Sequence, residues 1–175
     1  METKLIKEIK SMKGTTLGIG INSEKIKNAI NNNSNIKTCY LLEESSSFNK
    51  KKFKIFENTK TINIKKIKKV FKKKRIDNLI CNYQTIKPFI KTFVRDSVFI
   101  NKGKLYIYGS EKNFDEIINK YKRYTEDIKI EKDKDNFLII INNQNTVNKK
   151  IKDIKYWWQD TLNSIADILT SILVN

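Results

Sequence analysis

Short apolar runs alternate with amphipathic segments along most of this chain, and this alternation limits the folds open to it more than any other feature. Five alternations, followed by two strands joined by a polar turn, predict an α/β fold with a doubly wound, mostly parallel sheet and an antiparallel edge strand. Strands are expected over Thr15–Ile21, Ile36–Leu42, Lys52–Phe56, Ile76–Tyr83, Lys104–Tyr108, Ile128–Glu131 and Phe137–Ile141. Helices are expected over residues 2–12, from Ser23 to the asparagine run at 31–35, and over Thr61–Lys74, Ile86–Val98 and Phe114–Tyr124.

The 175 residues suffice for one domain with a core, which we predict over residues 1–145. Residues 146–175 are predicted as a C-terminal amphipathic helix, running from about Lys149 to Val174. Its apolar seam includes Trp158, Leu162 and Ile165 at helical spacing. The seam leaves three partners open, namely the domain itself, a second copy in a homodimer, or a membrane surface.

A glycine turn follows the first predicted strand. Thr15–Lys25 reads T-T-L-G-I-G-I-N-S-E-K, in which Gly18 and Gly20 precede a helix that Ser23 can cap. Glycines let the backbone approach a ligand, and the first amides of a helix point at whatever binds there. The third glycine of a dinucleotide-binding fingerprint would fall at position 23, which is serine, so that fingerprint is not satisfied.

Polar residues also end the next three predicted strands. Glu43 ends the second strand, Glu57 and Asn58 follow the third, and Asn82–Tyr83 ends the fourth. Because the carboxyl ends of parallel strands meet at one edge of a sheet, these residues should lie near the glycine turn. A carboxylate such as Glu43 accepts hydrogen bonds only, and it therefore suits a ribose diol.

Leu17–Gly20, the polar strand ends and the order of the elements together resemble the class I (Rossmann-like) S-adenosylmethionine-dependent methyltransferases. The resemblance covers about residues 1–143 and implies S-adenosylmethionine as cofactor. It implies methyl transfer to an acceptor that the sequence does not name, with RNA as one candidate. The alternative is a non-catalytic, basic RNA- or ribosome-associated protein on a degenerate version of the same fold.

The same resemblance assigns roles to individual residues. Contacts with the methionine and ribose parts of the cofactor are implied for Gly18, Gly20 and Asn22. The ribose hydroxyls are implied to bind Glu43, or Glu44 if the second strand runs one residue further, and the adenine is implied to lie beside Glu57 and Asn58. The methyl donor and acceptor are implied to meet at the two candidate catalytic residues, Asn82 and Tyr83.

The chain is strongly basic, with 36 lysine and arginine residues against 19 acidic ones and a net charge of +17. Such a charge is typical of a protein that binds a polyanion. Only three of the basic residues are arginines, however, and the abundance of lysine, asparagine and isoleucine is also typical of an AT-rich genome. The predicted helix before Arg75 is the candidate RNA surface, through Lys65, Lys68, Lys69, Lys72 and Lys73.

Histidine is absent, which excludes Ser-His-Asp and Cys-His nucleophiles and ordinary histidine-containing zinc sites. No metal site is therefore expected. Cys39 and Cys81 lie in apolar runs and are predicted to be buried free thiols. The strand order of the family that the chain resembles implies that their strands flank the first strand on opposite sides. The sequence shows no secretory leader and no apolar stretch of about 18 residues, so a cytoplasmic location is expected.

Overall fold

The computed structural model of the chain describes residues 1–43, 53–57, 67, 71 and 76–144. Met1–Asn145 forms one compact unit. Its helices are α1 (Glu2–Ser11), α2 (Glu24–Asn32), α3 (Tyr83–Ile86), α4 (Ile90–Ile100) and α5 (Asp115–Lys122), with a 3-10 turn at Lys87–Phe89. Its strands are β1 (Gly14–Ile19), β2 (Ile36–Glu43), β3 (Phe53–Glu57), β4 (Ile76–Asn82), β5 (Asn101–Ser110), β6 (Ile128–Asp133) and β7 (Asn136–Asn142).

The strands form one seven-stranded sheet in the order β3-β2-β1-β4-β5-β7-β6. Neighbours from β3 to β5 pair in parallel, whereas β7 is antiparallel to both β5 and β6. This confirms the predicted α/β class, with the antiparallel pairing at one edge of a mostly parallel sheet. The sequence did not predict that β7 lies between β5 and the outermost strand, β6.

The parallel pairing of β2 with β3 is achieved with a short connection. Cys39 lies opposite Phe53, and Glu43 lies opposite Glu57. Only residues 44–52 join the two strands, whereas a parallel crossover usually needs a dozen residues or more.

Apolar side chains on the two faces of the sheet form two clusters. One face packs against α1 and α2, which contribute Leu5, Ile9, Ile26 and Ile30. The other face packs against α3, α4 and α5 through residues that include Phe93, Ile117 and Tyr121. Side chains of β2, β4, β5 and β7 alternate between the clusters, as the two-residue period of a strand requires.

The two cysteines lie on opposite faces of the sheet. Cys39 on β2 belongs to the cluster under α1 and α2, and Cys81 on β4 belongs to the other cluster. Both are buried and free, as the sequence predicts. Their strands flank β1, so about 9–10 Å of sheet separates them, and a disulfide is out of reach.

Several predicted boundaries differ from those of the structure. β1 ends at Ile19 and not at Ile21, because Gly20 adopts a φ of +62° and turns the chain. The predicted helix Ile86–Val98 is interrupted by a 3-10 turn that contains Pro88, a residue with no N–H to donate. β5 is longer than predicted and starts at Asn101.

The predicted helices Thr61–Lys74 and Lys149–Val174 lie outside the described residues, apart from Ile67 and Phe71. The Phe71 N–H donates to the Ile67 carbonyl at 2.8 Å, as in a helix, and both side chains are buried. The candidate RNA-binding lysines and the candidate dimer seam lie outside the described residues as well. Within those residues, no helix combines the length and the apolar character needed to cross a bilayer.

Burial of hydroxyl and thiol groups predicts a loss of stability in alkali. Burial raises the pKa of Tyr121 well above 10.0 and that of Cys81 well above 9.0, and the hydrogen bond between Tyr121 and Ser97 opposes the shift at Tyr121. In the unfolded chain these groups lose their protons at a lower pH than they do in the folded protein. Their contribution to the free energy of unfolding is therefore fully present below about pH 9 and decreases as the pH rises further.

Urea unfolding from pH 8 to pH 11 should therefore show a falling free energy of unfolding, by up to about 1.4 kcal/mol per pH unit for each buried group. Tyr121→Phe should reduce the decrease in the free energy of unfolding with pH, because it removes one of the ionising groups. A free energy of unfolding that stays constant up to pH 11 would contradict the burial of these groups.

Candidate functional site

The polar strand ends predicted from the sequence meet at one edge of the sheet, which we call the carboxyl edge (the carboxyl ends of β1, β2, β3, β4 and β5). Ile19 on β1 pairs with Leu42 on one side and with Cys81 on the other. The residues that follow these three, namely Gly20, Glu43 and Asn82, therefore lie side by side. Glu57 lies opposite Glu43 on β3, and Asn58 lies outside the described residues.

The glycine turn closes tightly over the end of β1. The Gly20 N–H donates to the Leu42 carbonyl at 3.0 Å, which ties the turn to β2. A Cβ on Gly20 would lie 2.1 Å from Thr85 Oγ1, so the segment after β4 packs directly against the turn. Only a residue without a side chain fits here, and glycine also tolerates the left-handed backbone.

Gly18 serves packing within the sheet. A Cβ at this position would lie 2.4 Å from Ile21 Cδ1 and 2.8 Å from Leu41 Cδ2. Ile21 folds back from the turn and is fully buried among the residues under α1 and α2. The space next to Gly18 is thus filled by the chain's own apolar side chains.

The start of α2 follows the turn directly. Asn22 is exposed, and Ser23 caps the helix by accepting a hydrogen bond from the Ile26 N–H at 3.3 Å. The Ser23 hydroxyl also donates to Glu2 Oε1, so the first turn of α1 reaches the same edge. This second contact could not be predicted from the sequence, because the packing of α1 on α2 is what brings Glu2 and Ser23 together.

Asn82 and Tyr83, the candidate catalytic pair, both have structural roles. Asn82 Oδ1 accepts a hydrogen bond from the Gln84 N–H at 3.0 Å and caps α3. The Tyr83 side chain is only 2% exposed, and its ring lies edge-on to Phe137 with centroids 5.3 Å apart. Burial, then the nearby Glu111 carboxylate, raises the pKa of the Tyr83 hydroxyl. Their catalytic roles stay predictions.

A polar cluster of Gln84, Lys87 and Glu111 was not predicted from the sequence. Lys87 Nζ lies 2.6 Å from Glu111 Oε1, and Gln84 Nε2 donates to Glu111 Oε2 at 3.3 Å. The hydrogen bond to Glu111 raises the pKa of Lys87. The only available signal was that Lys87 follows β4 and Glu111 follows the neighbouring strand β5. The cluster holds α3 against the end of β5.

In the described part of the chain, no three acidic or cysteine side chains are placed to hold a metal ion. Glu43, Asn82 and the start of α2 surround the glycine turn in the order of the sheet. These residue types can form hydrogen bonds with a ligand.

The comparisons with known proteins give the fold. No protein-family model and no curated protein matches the chain. Human Methyltransferase-like protein 13, solved in complex with SAH, matches with a TM-score of 0.61 and 8% identity over 86% of this chain and 81% of that one. A SAM-dependent methyltransferase from Aquifex aeolicus matches with a TM-score of 0.53 and 11% identity over 80% and 88%.

A Plasmodium falciparum protein, named as a candidate ribosomal RNA methyltransferase, matches with a TM-score of 0.57 and 15% identity, over 81% of this chain and 94% of that one. The chain spans 48% of a longer structure from Streptococcus mutans. At these sequence identities the similarity establishes a shared fold, and the function has to be argued from the residues of the site.

Proposed function

We propose that this chain, whose fold is that of S-adenosylmethionine-dependent methyltransferases, binds S-adenosylmethionine at its carboxyl edge and transfers the methyl group to an acceptor. The observation that carries the proposal is the juxtaposition of the Gly20 turn, the end of β2 at Glu43 and the end of β4 at Asn82. In open α/β sheets, ligands bind outside the carboxyl ends of the strands, where the strand order reverses. That reversal lies between β1 and β4 in this sheet.

The residues at this edge fit the cofactor. Glu43 supplies a carboxylate for the ribose hydroxyls, and Glu57 on the adjacent strand borders the position expected for the adenine. S-adenosylmethionine supplies an already activated methyl group when bound, so the protein has mainly to position the acceptor. A chain without histidine can do this. We further propose RNA as the acceptor, supported by the net charge of +17 and by the name of the Plasmodium falciparum neighbour.

Calorimetric titration of the full chain with S-adenosylhomocysteine tests cofactor binding. Glu43→Gln should weaken binding about tenfold or more, because a hydrogen bond to a charged group contributes about 1.5–3 kcal/mol. Glu116→Gln is the matched control, because this carboxylate lies on α5, is 65% exposed and pairs with Lys120 of its own helix. Wild-type protein that gives no heat at millimolar ligand, or equal affinities for wild type and Glu43→Gln, would refute the proposal.

A second candidate function is a non-catalytic RNA-binding protein on the same fold. It is favoured by the finding that both glycines of the turn have packing reasons, since Ile21 and Leu41 occupy the space at Gly18 and Thr85 covers Gly20. Binding of RNA by protein that does not bind S-adenosylhomocysteine would select this function.

A further inference from the structure

The amino edge of the sheet, by which we mean the amino ends of β1, β2, β4 and β5, carries more basic than acidic residues in the described part of the chain. Five exposed lysines lie there, from the end of α1, the α1–β1 connection and the starts of β2 and β5: Lys10, Lys13, Lys37, Lys102 and Lys104. Glu8 lies in the last turn of α1, and the one acid within the first two residues of these four strands is Asp77. Its carboxylate is already engaged by the Thr15 N–H at 2.7 Å and by Lys102 at 2.8 Å.

Among the described residues, the carboxyl edge of the same sheet lacks this excess. Its lysines (Lys4, Lys25, Lys87, Lys91 and Lys112) are matched by acids at the starts of α1, α2 and α5 and at the ends of β2 and β3, together with Glu111. Lys87 is directly paired with Glu111. A lysine-rich composition would enrich both edges alike, so composition alone does not explain the difference between them.

The five lysines lie close enough together to act on one ligand. Gly14 pairs with Ile36, and Ile76 pairs with Asn101, so the starts of four adjacent strands are aligned. Three strand spacings of about 4.8 Å give a row roughly 14 Å long. A row of this length spans several phosphates of a nucleic acid, whose duplex carries one charge per about 1.7 Å.

The chemistry of the row favours a nucleic acid over a membrane. Peripheral membrane binding needs apolar side chains beside the basic ones. Among the described residues, Ile130 on β6 is the one large apolar side chain that is exposed, and β6 lies outside these four strands. Lysine is a point charge without the rigid fork of arginine, so the row suits the phosphate backbone and not the base edges.

We propose that the amino edge of the sheet, marked by these five lysines, binds the phosphate backbone of a nucleic acid. The six residue-to-residue steps from Gly14 to Gly20 separate this edge from the glycine turn by about 20 Å. The surface is therefore distinct from the proposed cofactor site, and binding there requires neither the cofactor nor methyl transfer.

Fluorescence anisotropy with a 20-base-pair RNA duplex, without cofactor and over a range of salt concentrations, tests the proposal on the full chain. The variant Lys13→Gln/Lys37→Gln/Lys104→Gln should reduce the slope of log affinity against log salt by about 2–3, one phosphate contact for each lysine. Lys102 is left in place because it pairs with Asp77. The control Lys25→Gln/Lys91→Gln/Lys112→Gln removes the same charge from exposed positions on the carboxyl side.

The control variant should keep most of the wild-type slope. Equal loss of slope in both variants would show that only the net charge matters, and wild-type protein that does not bind the duplex would also overturn the proposal. Equal or tighter binding to anionic phospholipid vesicles, lost in the same variant, would assign the row to a membrane and refute a nucleic acid. None of these outcomes depends on S-adenosylhomocysteine binding, so this proposal and the proposed function can fail separately.

Discussion

Replacing Gly103 by alanine is expected to lower the free energy of unfolding by about 3 kcal/mol. Gly103 lies in a bulge of β5, where Ile76 pairs with Asn101 but Asn78 pairs with Lys104. A Cβ there would lie 2.1 Å from the carbonyl oxygen of Asp77, well inside van der Waals contact. That oxygen belongs to the backbone of β4 in the centre of the sheet, so it cannot rotate away as a side chain could.

Overpacking of this kind costs typically about 1–3 kcal/mol, and a backbone obstacle places Gly103→Ala at the upper end of that range. Urea unfolding measures the effect. Lys104→Ala, a substitution at the exposed neighbour, serves as control and should stay within about 0.5 kcal/mol of the wild type. If the two variants are equally stable, β4 and β5 do not approach each other as closely as the bulge requires.

Most of the sheet could be predicted from the sequence because β1, β2, β4, β5 and β7, of six to ten residues each, contain buried apolar runs with clear breaks between them. Leu17, Leu79 and Leu105 each lie within a predicted strand and are fully buried in the structure. Ser23 was predicted as the cap of α2, and its hydroxyl accepts the Ile26 N–H. Periodicity and capping act over a few residues, which is why they can be recognised in one sequence.

The contacts that build the candidate site act over longer distances in the chain. They join residues that are 21 to 65 positions apart in the sequence. These contacts are the approach of Thr85 to Gly20, the hydrogen bond between Ser23 and Glu2, and the ion pair of Lys87 with Glu111. No spacing rule links such residues, because the strand order brings them together. The same limitation applies to Tyr83, which the sequence places at a strand end and the structure places in the core.

Gly20→Ala is expected to lower the free energy of unfolding by about 2–5 kcal/mol, through two separable effects. The first is the left-handed backbone at a φ of +62°, which costs a residue with a side chain about 1–2 kcal/mol. The second is the clash with Thr85, whose Oγ1 and Cβ would lie 2.1 and 2.6 Å from the new Cβ. Unlike the obstacle at Gly103, this one is a side chain and can be removed.

A double-mutant cycle with Thr85→Gly separates the two effects. The double variant should be about 1–3 kcal/mol more stable than the sum of the single changes predicts, because Thr85→Gly removes the clash but leaves the backbone cost. If the effects of the two substitutions on the free energy of unfolding instead add to within about 0.5 kcal/mol, α3 does not pack against the glycine turn. Because the clash arises between the new Cβ and Thr85, the coupling energy reports how closely the segment after β4 approaches the glycine turn.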